Sequence, residues 1–476
     1  MFDVAVIGCG ITGAAVACAL ARREVSVVVL EAENDVAMGT TKANSAILHA
    51  GYDPEPGTRM AKWNVRGAAL AKELCEALDV PRKQIGSLVL AFTDEEVPHL
   101  EKLLANGIAN GVEGLRILTA QEVAEMEPHL APVKAALYAP SAAIVNPWEY
   151  AIALAENAVE NGAQVRLSSA VTGAERTEQG WLLHTKTGDV EARFVVNAAG
   201  VRAGEVHEMA APRSFETHPC RGEYYLLDKC EGTRVSHVIF QCPNKLGKGV
   251  LVSPTVHGNL IVGPNADDAN SVANTASGLA FVAETARKSV PDVDLRQNIR
   301  NFAGVRANTD QSDFIFGFAA PGFLDLAGMK SPGLTAAPAA AEDAVRVLEE
   351  AGLDAPAKAD PVTTRRKIRF RELSDEERAK LTAERPEYGR VICRCETITE
   401  GEIIDACREV IPPCSIDGVK RRAGSGMGRC QGGFCGPRVM EILSRECGLD
   451  PLAIPQDGTG SYILTGHTKE GGTRHE

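Results

Sequence analysis

Two short cysteine clusters have the residue types and spacing for metal chemistry. Cys393-Arg394-Cys395 is followed downstream by Cys430-Gln431-Gly432-Gly433-Phe434-Cys435, a C-x-C and a C-x4-C separated by a helical spacer. Four thiolates from two short loops can enclose a [2Fe–2S] rhomb, two per iron. Zinc is the competing metal, since tetrathiolate zinc sites use C-x2–4-C spacing, although C-x-C is tighter than zinc usually takes. Gly424, Gly426, Gly428, Gly432 and Gly433 would let the backbone curl towards the sulfides and donate N–H groups to them. Cys407, Cys414 and Cys447 lie outside the pattern and read as small buried hydrophobes.

A second chemical signal stands at the other end of the chain. The apolar run Asp3-Val4-Ala5-Val6-Ile7 enters Gly8-Cys9-Gly10-Ile11-Thr12-Gly13, and an alanine-rich helix follows through Arg22. A second strand, Val25 to Leu30, ends at Glu31. Strand before, helix after and an acid closing the next strand are the context that turns three glycines into a dinucleotide fingerprint. Gly8 makes the tight turn, Gly10 lets the backbone approach a pyrophosphate, and Gly13 lets helix and strand pack closely. Glu31 would accept hydrogen bonds from the adenosine ribose. No second such unit follows; Gly424-Ser425-Gly426-Met427-Gly428 has no preceding apolar strand. One dinucleotide per chain is expected.

The elements that must hold these groups follow from the patterning. At 476 residues the chain exceeds one ordinary domain, and 45% hydrophobic with 24% charged residues is a normal globular composition. A net charge of −13 leaves no basic surplus to neutralise nucleic-acid phosphates. No apolar run is long enough for a membrane span, and the N-terminus reads as a strand rather than a signal peptide. Thirteen cysteines, seven of them after residue 390, suit a reducing compartment and a metal centre better than a disulfide framework. A cytoplasmic location is expected, with any membrane association through a partner subunit.

Around Tyr150–Gly200 a further α/β block carries a helix (Ala151–Asn161) and strands Gln164–Leu167 and Phe194–Asn197. Alternating runs Glu223–Leu227, Gly249–Ser253 and Asn259–Val262 read as antiparallel strands. The fold class expected is α/β: a Rossmann-like cofactor domain interleaved with an antiparallel-sheet substrate domain, plus a small α-rich C-terminal unit. The cofactor parts fall at about 1–60, 140–215 and 305–350, and the covering parts at about 61–139 and 216–304. An alanine-rich helix runs from Leu334 to about Ala351, a polar linker spans 351–389 with a short helix near 374–382, the cysteine unit spans 390–450, and 451–476 forms a tail whose last residues read as disordered.

Three further segments carry a resemblance. Gly39-Thr40-Thr41-Lys42-Ala43-Asn44-Ser45-Ala46-Ile47-Leu48-His49-Ala50-Gly51-Tyr52 resembles the flavin-contacting stretch of the D-amino-acid-oxidase superfamily, above all its glycerol-3-phosphate dehydrogenase and oxidase branch. Val196-Asn197-Ala198-Ala199-Gly200 and Ser331-Pro332-Gly333-Leu334-Thr335-Ala336-Ala337-Pro338 match two more FAD-contacting segments, in the family's order. The resemblance implies FAD, held by Gly8, Gly10, Gly13, Glu31, Thr40, Thr41, Asn44, Ser45, Gly200, Gly333, Leu334 and Thr335. Gly426-Met427-Gly428-Arg429-Cys430-Gln431-Gly432 is similar to the bacterioferritin-associated-ferredoxin-like [2Fe–2S] domain, which implies Cys393, Cys395, Cys430 and Cys435 as cluster ligands.

Oxidising an alcohol at a flavin needs a base for the hydroxyl proton, and imidazole titrates near working pH. His49 occupies the family's place for a histidine beside the flavin; the plainer alternative is a histidine that only supports its loop through backbone contacts. Lys248, in Leu246-Gly247-Lys248-Gly249-Val250, resembles the family's active-site lysine, with Lys245 close enough to share the assignment. Arg306, in Gly304-Val305-Arg306-Ala307, resembles the arginine near the substrate anion. For either cation the alternative is a solvated surface charge. Cys220-Arg221-Gly222-Glu223-Tyr224-Tyr225 reads as scaffold near the flavin edge. The resemblance implies oxidation of a phosphorylated polyol, sn-glycerol 3-phosphate, to dihydroxyacetone phosphate, with electrons leaving through the cluster to a partner redox subunit. A 2-hydroxyacid dehydrogenase of the L-2-hydroxyglutarate type and a non-catalytic electron-transfer subunit are the alternatives.

Overall fold

The computed structural model describes residues 1–243 and 249–468. The chain divides into two units, Met1–Leu30 with Ala37–Arg365, and Glu31–Val36 with Arg366–Glu476.

In the first unit, the apolar run at the N-terminus becomes the strand Phe2–Ile7, flanked in parallel by Val27–Leu30 and Val190–Asn197. Strands buried on both faces read as unbroken apolar runs, and Val4, Ala5, Val6, Val28 and Val29 are indeed inaccessible. Gln164–Arg166 extends the sheet beyond Val27–Leu30, and Phe323–Ala327 pairs in parallel with Val190–Asn197. The hairpin of Val171–Arg176 and Trp181–Thr185 and the strand Ile315–Ala320 complete eight strands. The helix Ile11–Ala21 packs against both Pro147–Glu160 and Gly333–Glu350, their alanines allowing close approach. The second of these begins four residues before the expected Ala151, because the Asn146 side chain accepts from the Glu149 N–H and Pro147 suits the first helical turn.

The second sheet of this unit has nine strands, antiparallel at every pairing but one. Its spine is the long pair Thr217–Leu227 and Asn298–Thr309. The expected strand at Glu223–Leu227 is therefore the end of an 11-residue one, while those at Gly249 and Asn259 run over Leu251–Pro254 and Leu260–Gly263. Val252, Leu260 and Val262 pack beneath Val282 and Ala286 of the helix Ala276–Ser289 and Val290 just after it. A Rossmann-like sheet with an antiparallel substrate sheet is the architecture that the alternation implied.

The second unit is mainly helical. A short pair, Val391–Cys393 with Ile398–Thr399, precedes the helices Glu400–Cys407, Ile416–Ala423 and Gly436–Cys447. Thr399 and Glu402 form a capping box at the first helix, and Ser374 with Glu377 does the same for a helix at Asp375–Glu384. Ile403, Val419, Val439, Ile442 and Leu443 make the core, into which Cys393 and Cys435 also point.

The segment Glu31–Val36 belongs to this unit through one buried cluster. Both Asp35 oxygens are bound by Arg422, at 2.8 and 2.9 Å, and Arg421 adds a contact of 2.9 Å. Arg421 also reaches Asp457 at 2.6 Å, and the Asn34 amide donates to the Asp457 carbonyl. Burial alone would raise the Asp35 carboxyl, but the two guanidiniums overcome it and hold it at about 2. A carboxyl lowered on folding stabilises the fold above its unfolded value near 3.8 and loses that contribution as pH falls towards 2. Wild-type protein should therefore lose ~2–3 kcal/mol across that window, and Asp35→Asn should flatten it. Denaturant titrations at pH 6, 4, 3 and 2 measure both.

Candidate active site and cluster loops

The glycine turn is built as its spacing demands. Gly8 sits at φ +97°, and a Cβ there would lie 2.7 Å from the Ala198 carbonyl oxygen. A Cβ on Gly13 would lie 1.9 Å from the Gly8 oxygen, so only glycine lets the helix approach the turn. That helix starts at Gly10 with no side-chain cap and no acid in its first turn, which suits a pyrophosphate. The Thr41 hydroxyl accepts from the Ile11 N–H at 2.9 Å and so ties the segment 39–51 to the turn. Glu31 is nearly buried, and its carboxylate accepts from the Glu33 N–H. Gly200 sits at φ +60° facing open space.

The segment 39–51 then lies against the strand Asn298–Thr309. The Thr40 hydroxyl donates to the Val305 carbonyl at 2.5 Å, and Gly304 allows the approach, since a Cβ there would lie 1.8 Å from the Ala43 oxygen. Asn44 holds the bend by donating to the carbonyls of Thr40 and Thr41 and accepting from the Ala46 N–H. Ser45 Oγ lies 3.2 Å from the Tyr224 hydroxyl. Four residues on, His49 has its backbone engaged on both sides: its N–H donates to Thr335 Oγ1 at 2.9 Å, and its carbonyl accepts from Asn64 at 2.8 Å. The ring stacks on Phe240 and presents Nε2 3.3 Å from Ser331 Oγ. Backbone contacts thus hold the loop, and the imidazole is aimed beside the helix start Gly333-Leu334-Thr335.

Arg306 stands opposite Cys220 in the strand register. Its Nη2 donates to the Asn265 carbonyl at 3.0 Å, and Nη1 reaches the Arg221 carbonyl at 3.4 Å and Cys220 Sγ at 3.3 Å. Carbonyls and a thiol position this guanidinium; among the described residues no carboxylate pairs with it. Gly222 leaves the room, since a Cβ there would lie 2.7 Å from Nη2. Tyr224 also bonds Arg306. Burial pushes its phenol up, opposed by the charge of Arg306. Arg306, Tyr224, Ser45 and the His49 loop are therefore one connected set. Lys248 and its neighbour Lys245 lie outside the described residues.

From the sequence, Tyr224 reads only as scaffold and Ser331 only as part of an FAD-contacting segment, and Phe240 and Asn64 carry no reading at all. For Tyr224 a signal existed: Cys220, Gly222 and Tyr224 alternate along one strand and meet Arg306, Gly304 and Phe302 across the pair. Phe240 and Asn64 carry no local pattern.

In the second unit the four thiols fall into two pairs. Cys395 Sγ lies 3.8 Å from Cys430 Sγ, and Cys393 hydrogen-bonds Cys435. Among the described residues no three His, Cys, Asp or Glu side chains converge on a single-ion site. Two pairs fit a rhomb with two thiolates per iron better than one tetrahedral zinc shell. The Cys393 thiol is lowered to about 6, first by the Cys435 hydrogen bond and then by the N–H groups of Gly426 and Glu396. Cys430 is lowered first by the Phe434 N–H, with help from Gly432. A Cβ on Gly428 would lie 2.4 Å from the Cys395 Cβ, so the glycines are what lets the two loops meet. Cys407 is raised beyond the usual thiol range by burial, as befits a packing residue.

Cys430→Ser and Cys435→Ser should each abolish the two irons per chain and leave FAD in place. Iron analysis and flavin absorbance of anaerobically prepared protein decide this, and stoichiometric zinc without iron would contradict the cluster assignment.

Comparison with known proteins accords with both halves. Residues 3–346 match the family of FAD dependent oxidoreductases, and residues 391–445 match the BFD-like [2Fe–2S] binding domain. A glycerol 3-phosphate dehydrogenase of Caloramator mitchellensis is 48% identical over 476 residues, covering 98% of this chain and 99% of that one. The human mitochondrial L-2-hydroxyglutarate dehydrogenase is 32% identical, over 56% of this chain and 61% of its own. Among solved structures, the dithionite-reduced L-alpha-glycerophosphate oxidase of Mycoplasma pneumoniae with FAD bound aligns with a TM-score of 0.72 at 30% identity. That alignment covers 76% of this chain and 98% of the oxidase.

Proposed function

We propose that this chain, which belongs to the FAD dependent oxidoreductase family and carries a C-terminal BFD-like [2Fe–2S] domain, oxidises sn-glycerol 3-phosphate to dihydroxyacetone phosphate and exports the electrons to a partner redox protein. The observation that carries the reading is Arg306. It is a guanidinium held by carbonyls, with no carboxylate partner among the described residues, and it is linked through Tyr224 and Ser45 to the loop of His49. Such a group is a ready partner for a phosphate. The substrate named for the relative that matches along its whole length has that phosphate.

In this reading Gly8, Gly10, Gly13, Glu31, Thr40, Thr41, Asn44, Ser45, Gly200, Gly333, Leu334 and Thr335 hold FAD, and Cys393, Cys395, Cys430 and Cys435 hold the cluster. Once bound, FAD supplies a hydride acceptor and the cluster a one-electron store. Arg306 anchors the phosphate, assisted by Lys248 and by the Tyr224 hydroxyl. His49 takes the hydroxyl proton at Nε2, its ring plane fixed by Phe240 and its loop by Thr335 and Asn64. A cluster that exports electrons one at a time distinguishes a dehydrogenase from an oxidase, which needs no such relay.

A 2-hydroxyacid would also place an anion on Arg306, and the human relative above acts on one. Anaerobic mixing with each compound while following flavin absorbance separates the readings. Bleaching by glycerol 3-phosphate is expected. Bleaching by L-2-hydroxyglutarate alone would reassign the substrate, and bleaching by neither would leave an electron-transfer subunit. Among the described residues no helix is long and apolar enough to cross a membrane.

A further inference from the structure

The cluster loops face solvent on one side only. Cys393 and Cys435 are buried, at 1% and 2% exposure, while Cys395 and Cys430 are exposed. Around the exposed pair the two loops, 391–397 and 424–438, present a consistent chemistry. Their charged residues are Arg394, Glu396, Arg429 and Arg438. The one acid, Glu396, is buried and ion-paired with Arg371 at 3.3 Å. All three arginines are exposed; Arg438 pairs with Glu441, one turn into the helix that follows. Phe434, between the second pair of cysteines, is 59% exposed, and the Arg394 guanidinium lies 4.7 Å from its ring centre.

This is an exposed apolar residue stacked under one cation, with two more exposed arginines on the same loops, on a protein whose net charge is −13. At physiological ionic strength charges beyond ~8 Å are largely screened, so an approaching surface feels the local rim more than the distant acids. Arginine and aromatic side chains are also those that anchor protein contacts. We propose that Arg394, Arg429 and Phe434, around Cys395 and Cys430, form the docking face for a protein one-electron acceptor with an acidic surface. The proposal rests on the reading that the cluster exports electrons. Each encounter removes one electron from the reduced cluster and adds one to the acceptor, with no bond made or broken, so two encounters clear each substrate oxidised. The rim steers the partner and sets its orientation, while Phe434 gives the contact a dry centre.

The competing role for the arginines is to offset the negative charge of the cluster and raise its potential. One experiment tells them apart. Full-length holoprotein is reduced with dithionite, freed of excess reductant, and mixed in a stopped-flow instrument with oxidised cytochrome b5 (acidic) or cytochrome c (basic). Wild-type protein should reduce cytochrome b5 at a rate that falls steeply with added salt. The pair Arg394→Glu with Arg429→Glu should slow that reaction by roughly tenfold or more and speed the one with cytochrome c. Arg394→Gln with Arg429→Gln should fall between, with iron and FAD contents checked for each protein. A wild-type rate indifferent to salt overturns the proposal. Rates to both acceptors that move together, in step with a measured shift of cluster potential, overturn it as well and leave the arginines as tuning groups. Because dithionite replaces substrate, a failure to bleach the flavin with glycerol 3-phosphate counts against the proposed reaction and not against this surface.

Discussion

Arg306→Ala is expected to raise the concentration of glycerol 3-phosphate needed to bleach the flavin by roughly 10²- to 10³-fold. Removing one partner of a desolvated, hydrogen-bonded charge pair costs ~2–5 kcal/mol, much of it from leaving the other charge unpaired. In the proposed reaction the charge left behind is the substrate phosphate. Arg306→Lys should recover only part, since an ammonium cannot keep the Asn265 and Arg221 carbonyls and still offer a planar fork. The variant also frees two backbone carbonyls and the Cys220 thiol, so its thermal midpoint must be measured beside the titration. A shift in the substrate titration with an unchanged midpoint is the expected result. If both variants bleach at wild-type concentrations, the anion is held elsewhere.

His49→Ala is expected to slow flavin reduction at saturating substrate by roughly 10²-fold or more, the range for a positioned general base. The loop should survive the change. Its ties run through the His49 N–H to Thr335 and the His49 carbonyl to Asn64, and alanine keeps both groups. FAD content, substrate titration and dithionite reduction of the cluster should therefore match wild type, and only the substrate-driven rate should fall. Equal rates in the two proteins would return His49 to a loop-supporting role.

The parts legible in the sequence were those where a few consecutive residues set the geometry. Gly13 is fixed by the Gly8 oxygen five residues before it, so the spacing carried that part of the information, whereas Gly8 and Gly10 are crowded by Ala198 and Thr41 from elsewhere in the chain. The cysteine loops were legible for the same reason, because Gly426, Gly428 and Gly432 act within a few residues of the thiols. Arg306 was singled out only by resemblance. What connects it to the proposed site is its meeting with Tyr224 and, through it, with Ser45, 179 residues from Tyr224 in the chain. Strand alternation hinted at that meeting but could not supply the partner strand. The start of the helix at Pro147 was missed because the cap at Asn146 outweighs the short apolar run that suggested Ala151. Nothing in the polar stretch after Glu31 announced that Asp35 would be buried against Arg421 and Arg422.

That last contact also sets an order in time. Asp35 and the two arginines that bind it stand 386 and 387 residues apart. At about 5–20 residues per second, the ribosome releases the aspartate ~20–80 s before it releases its partners. Through that interval the carboxylate must stay hydrated, and the loop after Glu31 lacks the contacts that fix it. The earliest part of the chain to be made is thus among the last to be finished.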